Sequence, residues 1–321
     1  MASPTLQRRG AGAAGLALGL GLDALLADPR RGHPVAAFGS VAGFVERAVH
    51  RDSRAVGTAY AGGLVGAVVV AGALTSRRAR GPWSVAATTA VATWAVVGGT
   101  SLRREADAMH ALLVARDVPA ARARLSHLCG RDASALDIGG LARAAVESVA
   151  ENTSDAVVAP LLWGAVAGLP GLLGYRAVNT LDAMVGHRSP RHLRFGWAAA
   201  RLDDVANLVP ARLTALLAVL LAPLVGGRPA AALRAWRRDG GKHPSPNAGP
   251  VEAAFAGALG RTLGGRLAYA GRVEDRPLLG NGPAPDVTDL QRAARLSAAV
   301  TVAAGTLAVV VRVGRVRPMF R

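Results

Sequence analysis

A chain in which 51% of 321 residues are hydrophobic, with a mean hydropathy of +0.29, is too apolar for an ordinary soluble enzyme. Its formal net charge of +17 does not indicate nucleic-acid binding, because no basic run is interleaved with aromatic residues, which form 4% of the chain. The single cysteine, Cys129, excludes an internal disulfide. The composition therefore predicts an integral membrane protein with arginine-rich loops.

The hydropathy pattern predicts an all-α fold, a polytopic membrane helix bundle with broken or re-entrant helices and helical cytoplasmic loops. The predicted apolar segments are residues 10–27, 55–75, 82–102, 156–174, 208–225 and 296–311. The predicted polar loops are residues 28–54, 103–155, 179–207 and 226–295. We expect the whole chain, residues 1–321, to form a single integral-membrane domain.

The first apolar segment, residues 10–27, follows two arginines and contains Asp23. We expect a retained membrane helix rather than a signal peptide, because no small-residue cleavage site precedes the turn at Asp28-Pro29. A carboxylate within a membrane helix is costly, so Asp23 is a functional candidate unless it lies near the interface and hydrogen-bonds locally.

Two charge-free segments, 55–75 and 82–102, are predicted to form a hairpin that places the loops before and after it on one side of the membrane. Residues 103–146 are expected to be helical and exposed to water. The apolar segment 156–174 contains two prolines and four glycines, so a simple span and a broken or re-entrant helix both fit it. A single active site requires the second alternative, since one crossing would separate the polar residues on either side of the segment.

Six carboxylates in three short clusters are the candidate catalytic groups of this strongly basic chain. They are Glu147, Glu151, Asp155, Asp182, Asp203 and Asp204. In a helix the first three recur at every fourth residue on one face, where like charges repel by roughly 0.2–0.5 kcal/mol per pair. We therefore expect a cation to offset the repulsion, which would be Mg²⁺, an arginine or a substrate amine.

Phosphate chemistry is indicated around the third cluster. Asp203, Asp204 and Asn207 resemble sites where carboxylates bind Mg²⁺ and the metal binds phosphate, although acids in the first turn of a helix give the same pattern. Three arginines fit either a phosphate clamp or interface anchors, namely Arg176, Arg201 and Arg212. His33 fits a phosphate or metal ligand, or a helix cap. No Walker-type loop is present, so any nucleotide site is non-standard.

A series of motifs runs through most of the chain in a fixed order. They are Asp23, Asp28-Pro29, His33-Pro34-Val35, Glu147-Ser148, Glu151-Asn152, Asp155, Pro160-Leu161, Tyr175-Arg176-Ala177, Asn179-Thr180-Leu181-Asp182, Met184, Gly186, Phe195-Gly196, Ala200-Arg201-Leu202-Asp203-Asp204, Asn207, Pro210-Ala211-Arg212-Leu213 and His243-Pro244-Ser245-Pro246-Asn247-Ala248-Gly249. In these motifs the chain resembles the cobalamin-biosynthesis family called CobD/CbiB, the adenosylcobinamide-phosphate synthases. It departs from the family at Ala27, where glycine is expected, and at His187, where an aromatic residue is common. Neither departure should remove activity.

The resemblance implies a multi-pass enzyme of the cell (cytoplasmic) membrane whose active site faces the cytoplasm. It implies an ATP-dependent acid–amine ligase that joins (R)-1-amino-2-propanol or its O-phosphate to the free propionate of adenosylcobyric acid, a corrinoid. The product would be adenosylcobinamide or its phosphate, and the implied cofactors are ATP and Mg²⁺. The implied partners are these substrates and the lipid bilayer, without nucleic acid, and contacts with other corrin-pathway enzymes are left open.

The resemblance also implies roles for single residues. Substrate or phosphate binding is implied for His33, Asn152, Arg176, Asn179, Arg201, Asn207, Arg212, His243 and Asn247. Mg²⁺ binding is implied for Asp182, Asp203 and Asp204. The six clustered carboxylates keep their catalytic role, and the motifs do not say which of them acts as the base.

Two other functions fit the same features. A membrane prenyl- or phosphotransferase also uses aspartate-rich motifs and Mg²⁺, but a second paired-aspartate motif facing Asp203-Asp204 is not evident in the sequence. A non-catalytic membrane regulator on the same scaffold would have no need of the acidic clusters, and these are present.

Overall fold

The computed structural model describes residues 4–29, 32–130, 132–269 and 272–314. Most of them lie in helices, which confirms the predicted all-α membrane bundle. They fall into two compact units, described separately below. The first comprises the described residues of Met1–Gly98, Ala159–Ala206 and Ala304–Arg321, and the second those of Gly99–Val158 and Asn207–Ala303. That the whole chain is a single domain stays a prediction.

The elements are numbered in chain order. The helices are α1 (Pro4–Leu26), α2 (Pro34–Val49), α3 (Arg54–Arg78), α4 (Pro82–Val96), α5 (Gly99–Val114), α6 (Val118–Leu125), α7 (Ile138–Thr153), α8 (Ala159–Ala167), α9 (Leu169–Leu181), α10 (Trp197–Leu221), α11 (Pro229–Asp239), α12 (Ala248–Leu259) and α13 (Val287–Gly314). Three short helical turns follow α7, α9 and α10, the π-helical Ser154–Val158 and Asp182–Gly186 and the 3-10 turn Ala222–Val225. The strands are β1 (Thr262–Tyr269) and β2 (Arg272–Gly280).

Five stretches of helix among the described residues are long and apolar enough to cross a membrane. They are Leu6–Leu26, Arg54–Arg78, Pro82–Val114, Trp197–Val225 and Val287–Gly314. They correspond to five of the six predicted apolar segments. Large apolar side chains on them are exposed as contact with lipid requires, and Val70, Leu220 and Val302 are 56, 59 and 70% exposed.

The sixth predicted segment, residues 156–174, is broken. Helix α8 has 9 residues and α9 has 13, so each is shorter than the roughly 20 residues that a span needs. They are separated at Gly168, whose φ of +69° is easily adopted only by glycine, and Pro170 fits the first turn of α9. The two helices pack against each other, with Gly164 beside Leu172. Of the two alternatives that the sequence allowed, the broken helix is therefore the one found.

Helices α1 and α4 of the first unit pack unusually closely. A methyl group at Gly15 or Gly19 of α1 would overlap the side chains of Thr89 and Thr93 on α4 and the carbonyls one turn before them. Small residues that let two helix backbones approach replace the hydrophobic driving force that lipid cannot provide. This contact fixes the end of α1, where the Trp94 indole nitrogen donates a hydrogen bond to the Ala27 carbonyl at 2.9 Å.

We expect Gly19→Ala to lower the thermal unfolding temperature in detergent, because the added methyl group must push α1 away from Thr93. Overpacking of this kind costs about 1–3 kcal/mol. Gly21→Ala is the matched control on the same helix, since nothing lies within 4 Å of a side chain there. If both variants unfold at the same temperature, the close packing of α1 on α4 is wrong.

The second unit differs from the sequence prediction in two ways. Helix α7 was expected to be water-exposed as far as residue 146, yet Leu141, Ala145 and Val146 are fully buried. The polar segment 226–295 was predicted as a loop, yet it contains α11, α12 and an antiparallel hairpin of β1 and β2. The expectation for α7 was wrong because its apolar residues up to 146 pack inside the second unit.

Two buried carboxylates attach the hairpin to helices of the second unit. Glu147 of α7 accepts a hydrogen bond from the Gly264 amide at 2.7 Å, where β1 has a bulge, and Asp239 of α11 accepts one from the Gly280 amide at 2.9 Å. The Arg238 guanidinium, aided by Lys242 and by the Gly280 amide, holds the pKa of Asp239 well below its usual range despite burial. Asp239 is thus fully accounted for by structure.

Candidate functional site

Each unit holds part of the predicted site. The first unit contains His33, Arg176, Asn179, Asp182, Arg201, Asp203 and Asp204, and the second contains Glu147, Glu151, Asn152, Asp155, Asn207, Arg212, His243 and Asn247. Their predicted roles stay predictions, and the paragraphs below report the local geometry of each group.

In the first unit a chain of hydrogen bonds links α9 to α10. The guanidinium of Arg176 donates from Nη1 to the Asn179 amide oxygen at 3.4 Å, and Asn179 donates from Nδ2 to Asp203 Oδ1 at 3.4 Å. Arg176 and Asn179 lie three residues apart, so they share one face of α9. These two hydrogen bonds connect one cation, one amide and one carboxylate from the predicted set of site residues.

The neighbouring aspartates have different surroundings. Asp182 begins the π-helical turn after α9, and its carboxylate lies so close to Gly186 that no side chain fits there. Asp204 pairs with Arg201 one turn earlier on α10, at 3.1 Å, and the Arg201 side chain is 64% exposed. An exposed pair of this kind contributes little to stability. Asp203 contacts α9 through its hydrogen bond with Asn179.

The first unit contains carboxylate oxygens, which are the kind of ligand that Mg²⁺ prefers. Among the described residues no group of three or more histidine, cysteine, aspartate or glutamate side chains is close enough to hold a metal by itself. Mg²⁺ usually takes only one or two protein carboxylates and completes its octahedron with water and phosphate oxygens. Asp203 and Asp182 are the predicted Mg²⁺ ligands of this unit apart from Asp204, and Asn179 donates a hydrogen bond to the Asp203 carboxylate.

A cavity of about 730 Å³ lies between α2 and α9. Its polar lining includes Asp28, His33, Arg47 and Arg176. His33 is the N-cap of α2, since its Nδ1 accepts a hydrogen bond from the Val35 amide at 3.2 Å. Its Nε2 is 3.6 Å from Asp28 Oδ1. His33 therefore has the capping role that the sequence allowed and also faces the cavity.

In the second unit a buried polar group surrounds His243. Its Nδ1 lies 3.0 Å from the Ser245 amide, and its Nε2 lies 3.1 Å from Arg276 Nη1 and 3.9 Å from Glu252 Oε1. The His243 and Glu252 side chains are each only 4% exposed. Buried ionisable groups are retained where they are paired, so this cluster is organised rather than incidental.

The other predicted residues of the second unit take separate positions. Arg212 of α10 donates to Asn247 Oδ1 at 3.0 Å, at the N-cap of α12. Glu151 is exposed on α7, one turn beyond the buried Glu147, and Asn152 donates to the Ser148 carbonyl at 2.9 Å. Two further predicted residues are placed as follows: Asp155 lies on the π-helical turn after α7, and Asn207 is buried on α10.

Four polar residues at these sites were absent from the predicted set. They are Asp28, Arg47, Glu252 and Arg276. Glu252 could have been identified from the sequence, because it is the lone carboxylate in the apolar stretch that forms α12. All residues of that helix are buried. Arg276 could not have been identified in this way, since only the fold of the hairpin brings β2 to His243.

A second polar cluster in the first unit holds the loop before α10 against α2. Glu46 accepts hydrogen bonds from Arg191 and His192, each at 3.0 Å, and His192 Nδ1 is 3.1 Å from His187 Nε2. Burial tends to raise the pKa of Glu46, but the hydrogen bonds and charges of His192 and Arg191 outweigh it and lower the pKa. Burial and the nearby His192 lower the pKa of His187.

We expect Glu46→Gln to destabilise the protein at neutral pH by roughly 1–3 kcal/mol, the cost of weakening charge-assisted hydrogen bonds. A carboxylate whose pKa is lowered by folding stabilises the folded state above its ordinary pKa of 4.5. That stabilisation is lost as the pH falls through the folded value, so the difference between wild type and variant should shrink below pH 4.5. Thermal unfolding from pH 7 to pH 3 measures it, and a difference that is independent of pH would contradict the ion pair.

Comparison with known proteins gives the family. The family model described as CobD/Cbib protein matches residues 16–297. A cobalamin biosynthesis protein CobD from Mycobacterium tuberculosis is 56% identical over 306 residues, 95% of this chain and 97% of the relative. The Rhodobacter capsulatus protein of that name is 42% identical over 311 residues, 92% and 98% of the two chains. No solved structure matches. The chain therefore belongs to the CobD/CbiB family.

Proposed function

We propose that the protein forms the amide bond between the free propionate of adenosylcobyric acid and (R)-1-amino-2-propanol or its O-phosphate, with ATP as the energy source. Membership of the CobD/CbiB family gives the chain its role in cobalamin biosynthesis. We propose that it acts in the cytoplasmic membrane with the site on the cytoplasmic side. The five apolar helices among its described residues support the membrane location.

The observation that carries the ligase reaction is the hydrogen-bonded chain Arg176–Asn179–Asp203. Amide formation from a carboxylate needs activation of the acid, because a carboxylate is a poor acyl donor. Transfer of the terminal phosphoryl group of ATP gives an acyl phosphate and ADP, and attack by the amine then releases phosphate. Both steps develop negative charge on phosphoryl oxygens, which fixed cations and hydrogen-bond donors stabilise.

In this reaction each of the three hydrogen-bonded side chains has a defined role. Arg176 presents a planar fork to phosphoryl oxygens, and Asn179 holds both Arg176 and Asp203 in place. Asp203 with Asp182 would hold Mg²⁺, which when bound neutralises phosphate charge. A base must also remove a proton from the incoming ammonium before it attacks.

The test is ligation by the purified protein in nanodiscs, with adenosylcobyric acid, Mg²⁺ and either aminopropanol or its O-phosphate. Mass spectrometry should find the amide product and one ADP per product. Omission of ATP, or of the amine, should abolish the product. Formation of AMP instead of ADP would refute activation by an acyl phosphate, and no amide with either amine would refute the proposed function.

A further inference from the structure

The cavity between α2 and α9 is lined by two rows of residues with the same spacing. Gly39, Gly43 and Arg47 follow one another at intervals of four along α2. Arg176, Thr180 and Met184 do so on α9 and the turn that follows it, and they form the other wall. Residues four apart share one face of a helix, so both rows face the same space.

The α2 wall is a glycine floor next to a cation. A methyl group at Gly39 would lie 3.7 Å from Met184 Sδ, and one at Gly43 would lie 3.5 Å from Arg47 Nη1 and 3.6 Å from Met184 Cε. These are ordinary contact distances, so the fold would tolerate a side chain at either position. Gly39 is half-buried and Gly43 is buried beneath Arg47 and Met184. Between Val35 and Arg47 the lining face of this wall therefore carries no side chains except those of Ala36 and Ser40. Glycines are common where phosphates approach a chain closely.

Arg47 is available for an anionic ligand. The carboxylate next to it in the sequence, Glu46, is engaged by Arg191 and His192. Within the part of the chain that the structure describes, no carboxylate forms an ion pair with Arg47. A guanidinium on a cavity wall without a protein anion is a suitable partner for phosphate oxygens.

The cavity is long, and an apolar pocket continues it. His33 and Arg47 are 14 residues apart along α2, which is about 21 Å at about 1.5 Å per residue. The second pocket, of about 170 Å³, shares Val35, Arg176 and Thr180 with the cavity. Its remaining lining is almost entirely apolar and includes Phe38 and Leu173. Arg176 therefore lies between an apolar compartment and a polar one.

We propose that the cavity and this pocket together bind a nucleoside triphosphate. The base occupies the apolar pocket, and the triphosphate extends from Arg176 along Gly39 and Gly43. The terminal phosphate contacts Arg47. The inference rests on the proposed function in one respect, that ligation consumes ATP, and it names where the nucleotide binds.

The dimensions favour a nucleotide over two other phosphate-bearing ligands. A phosphorylated three-carbon amine is far shorter than a cavity of about 21 Å and would leave the apolar pocket empty. A simple glycerophospholipid keeps its acyl chains in the bilayer and carries one phosphate, so it lacks the extended anionic chain that would reach from Arg176 to Arg47. A nucleoside triphosphate combines one planar ring with an extended anionic chain, which is the order of compartments found here.

The test is direct binding of a fluorescent ATP analogue with Mg²⁺ to the full-length protein in phosphatidylcholine nanodiscs, without turnover. We expect Arg47→Gln to weaken binding about tenfold or more, the scale of one charge-assisted hydrogen bond, and Gly43→Ala to weaken it as well. Matched controls are Arg77→Gln and Gly63→Ala on α3, where nothing lies within 4 Å of an added side chain at Gly63. Both controls should bind the analogue as wild type does.

The outcomes separate this inference from the proposed function. Wild-type nucleotide affinity in both cavity variants would overturn the inference, and intact ligation would then leave the proposed function standing. A loss of affinity for aminopropanol O-phosphate alone, or displacement of the analogue only by phosphatidylglycerol, would also overturn it in favour of the amine or a lipid. Weakened nucleotide binding in the two cavity variants supports it even if no amide is formed.

Discussion

Replacement of Asp203 by asparagine is expected to lower the rate of ligation by about a hundredfold or more without unfolding the protein. The side chain keeps its size, and its oxygen still accepts the hydrogen bond from Asn179. What it loses is the negative charge that a magnesium ion and its phosphate ligands require. The loss should therefore appear in turnover and not in the unfolding temperature.

Asp204→Asn is the natural comparison, because it removes the same charge from the next residue of α10. The Asp204 carboxylate pairs with the exposed Arg201 of its own helix. We expect a loss of less than about tenfold for Asp204→Asn, since a surface pair contributes little. Steady-state ligation with saturating ATP and increasing Mg²⁺ measures both variants. Equal losses would mean that both aspartates bind the metal, and near-normal turnover in Asp203→Asn would remove it from the site.

The membrane helices could be predicted from the sequence because their signal is local. A run of about 20 apolar residues crosses a bilayer most favourably as an α-helix. Five of the six predicted segments are helices of sufficient length. The broken segment was also predictable in part, because the two prolines and four glycines of residues 156–174 indicate interruptions. The break lies at Gly168, directly before Leu169-Pro170. The sequence left the choice open because prolines and glycines also occur in ordinary membrane helices.

The second unit was harder to predict because its structure depends on contacts between distant residues. The stretch that forms β1 and β2 lies in a polar segment, where its glycines and prolines read as turns. Strand pairing there depends on a bulge between Leu263 and Gly265 and on a carboxylate from α7, more than a hundred residues earlier. No pattern of short range in the sequence carries that information.

The same limit applies to the candidate site. Acidic clusters and family motifs identified Arg176, Asn179 and Asp203 as candidates, but the hydrogen bonds that connect them depend on how α9 meets α10. Arg47 was missed because a lone arginine at the end of an amphipathic helix is common. Its significance comes from the glycine floor beside it and from Glu46, which is turned to other partners.

Glu147→Ala is expected to destabilise the second unit by roughly 2–5 kcal/mol. The Glu147 side chain is almost fully buried, so truncation leaves a cavity in the packed face of α7. It also leaves the amide of Gly264 without its acceptor at the β1 bulge. A buried donor that loses its partner costs more than the hydrogen bond was worth, because its water was already removed.

The control is Glu147→Gln, which retains an oxygen of the same reach for the Gly264 amide and so should unfold at a temperature much closer to that of wild type. Thermal unfolding in detergent, with proteolysis of the β1–β2 hairpin as a second readout, distinguishes the two variants. Glu151→Gln one turn later should behave differently again, because that side chain is exposed. We expect it to leave the unfolding temperature unchanged and to lower ligation about a hundredfold if Glu151 is catalytic. If Glu147→Ala and Glu147→Gln are equally unstable, the charge of Glu147 rather than its hydrogen bond to Gly264 holds α7 to the hairpin.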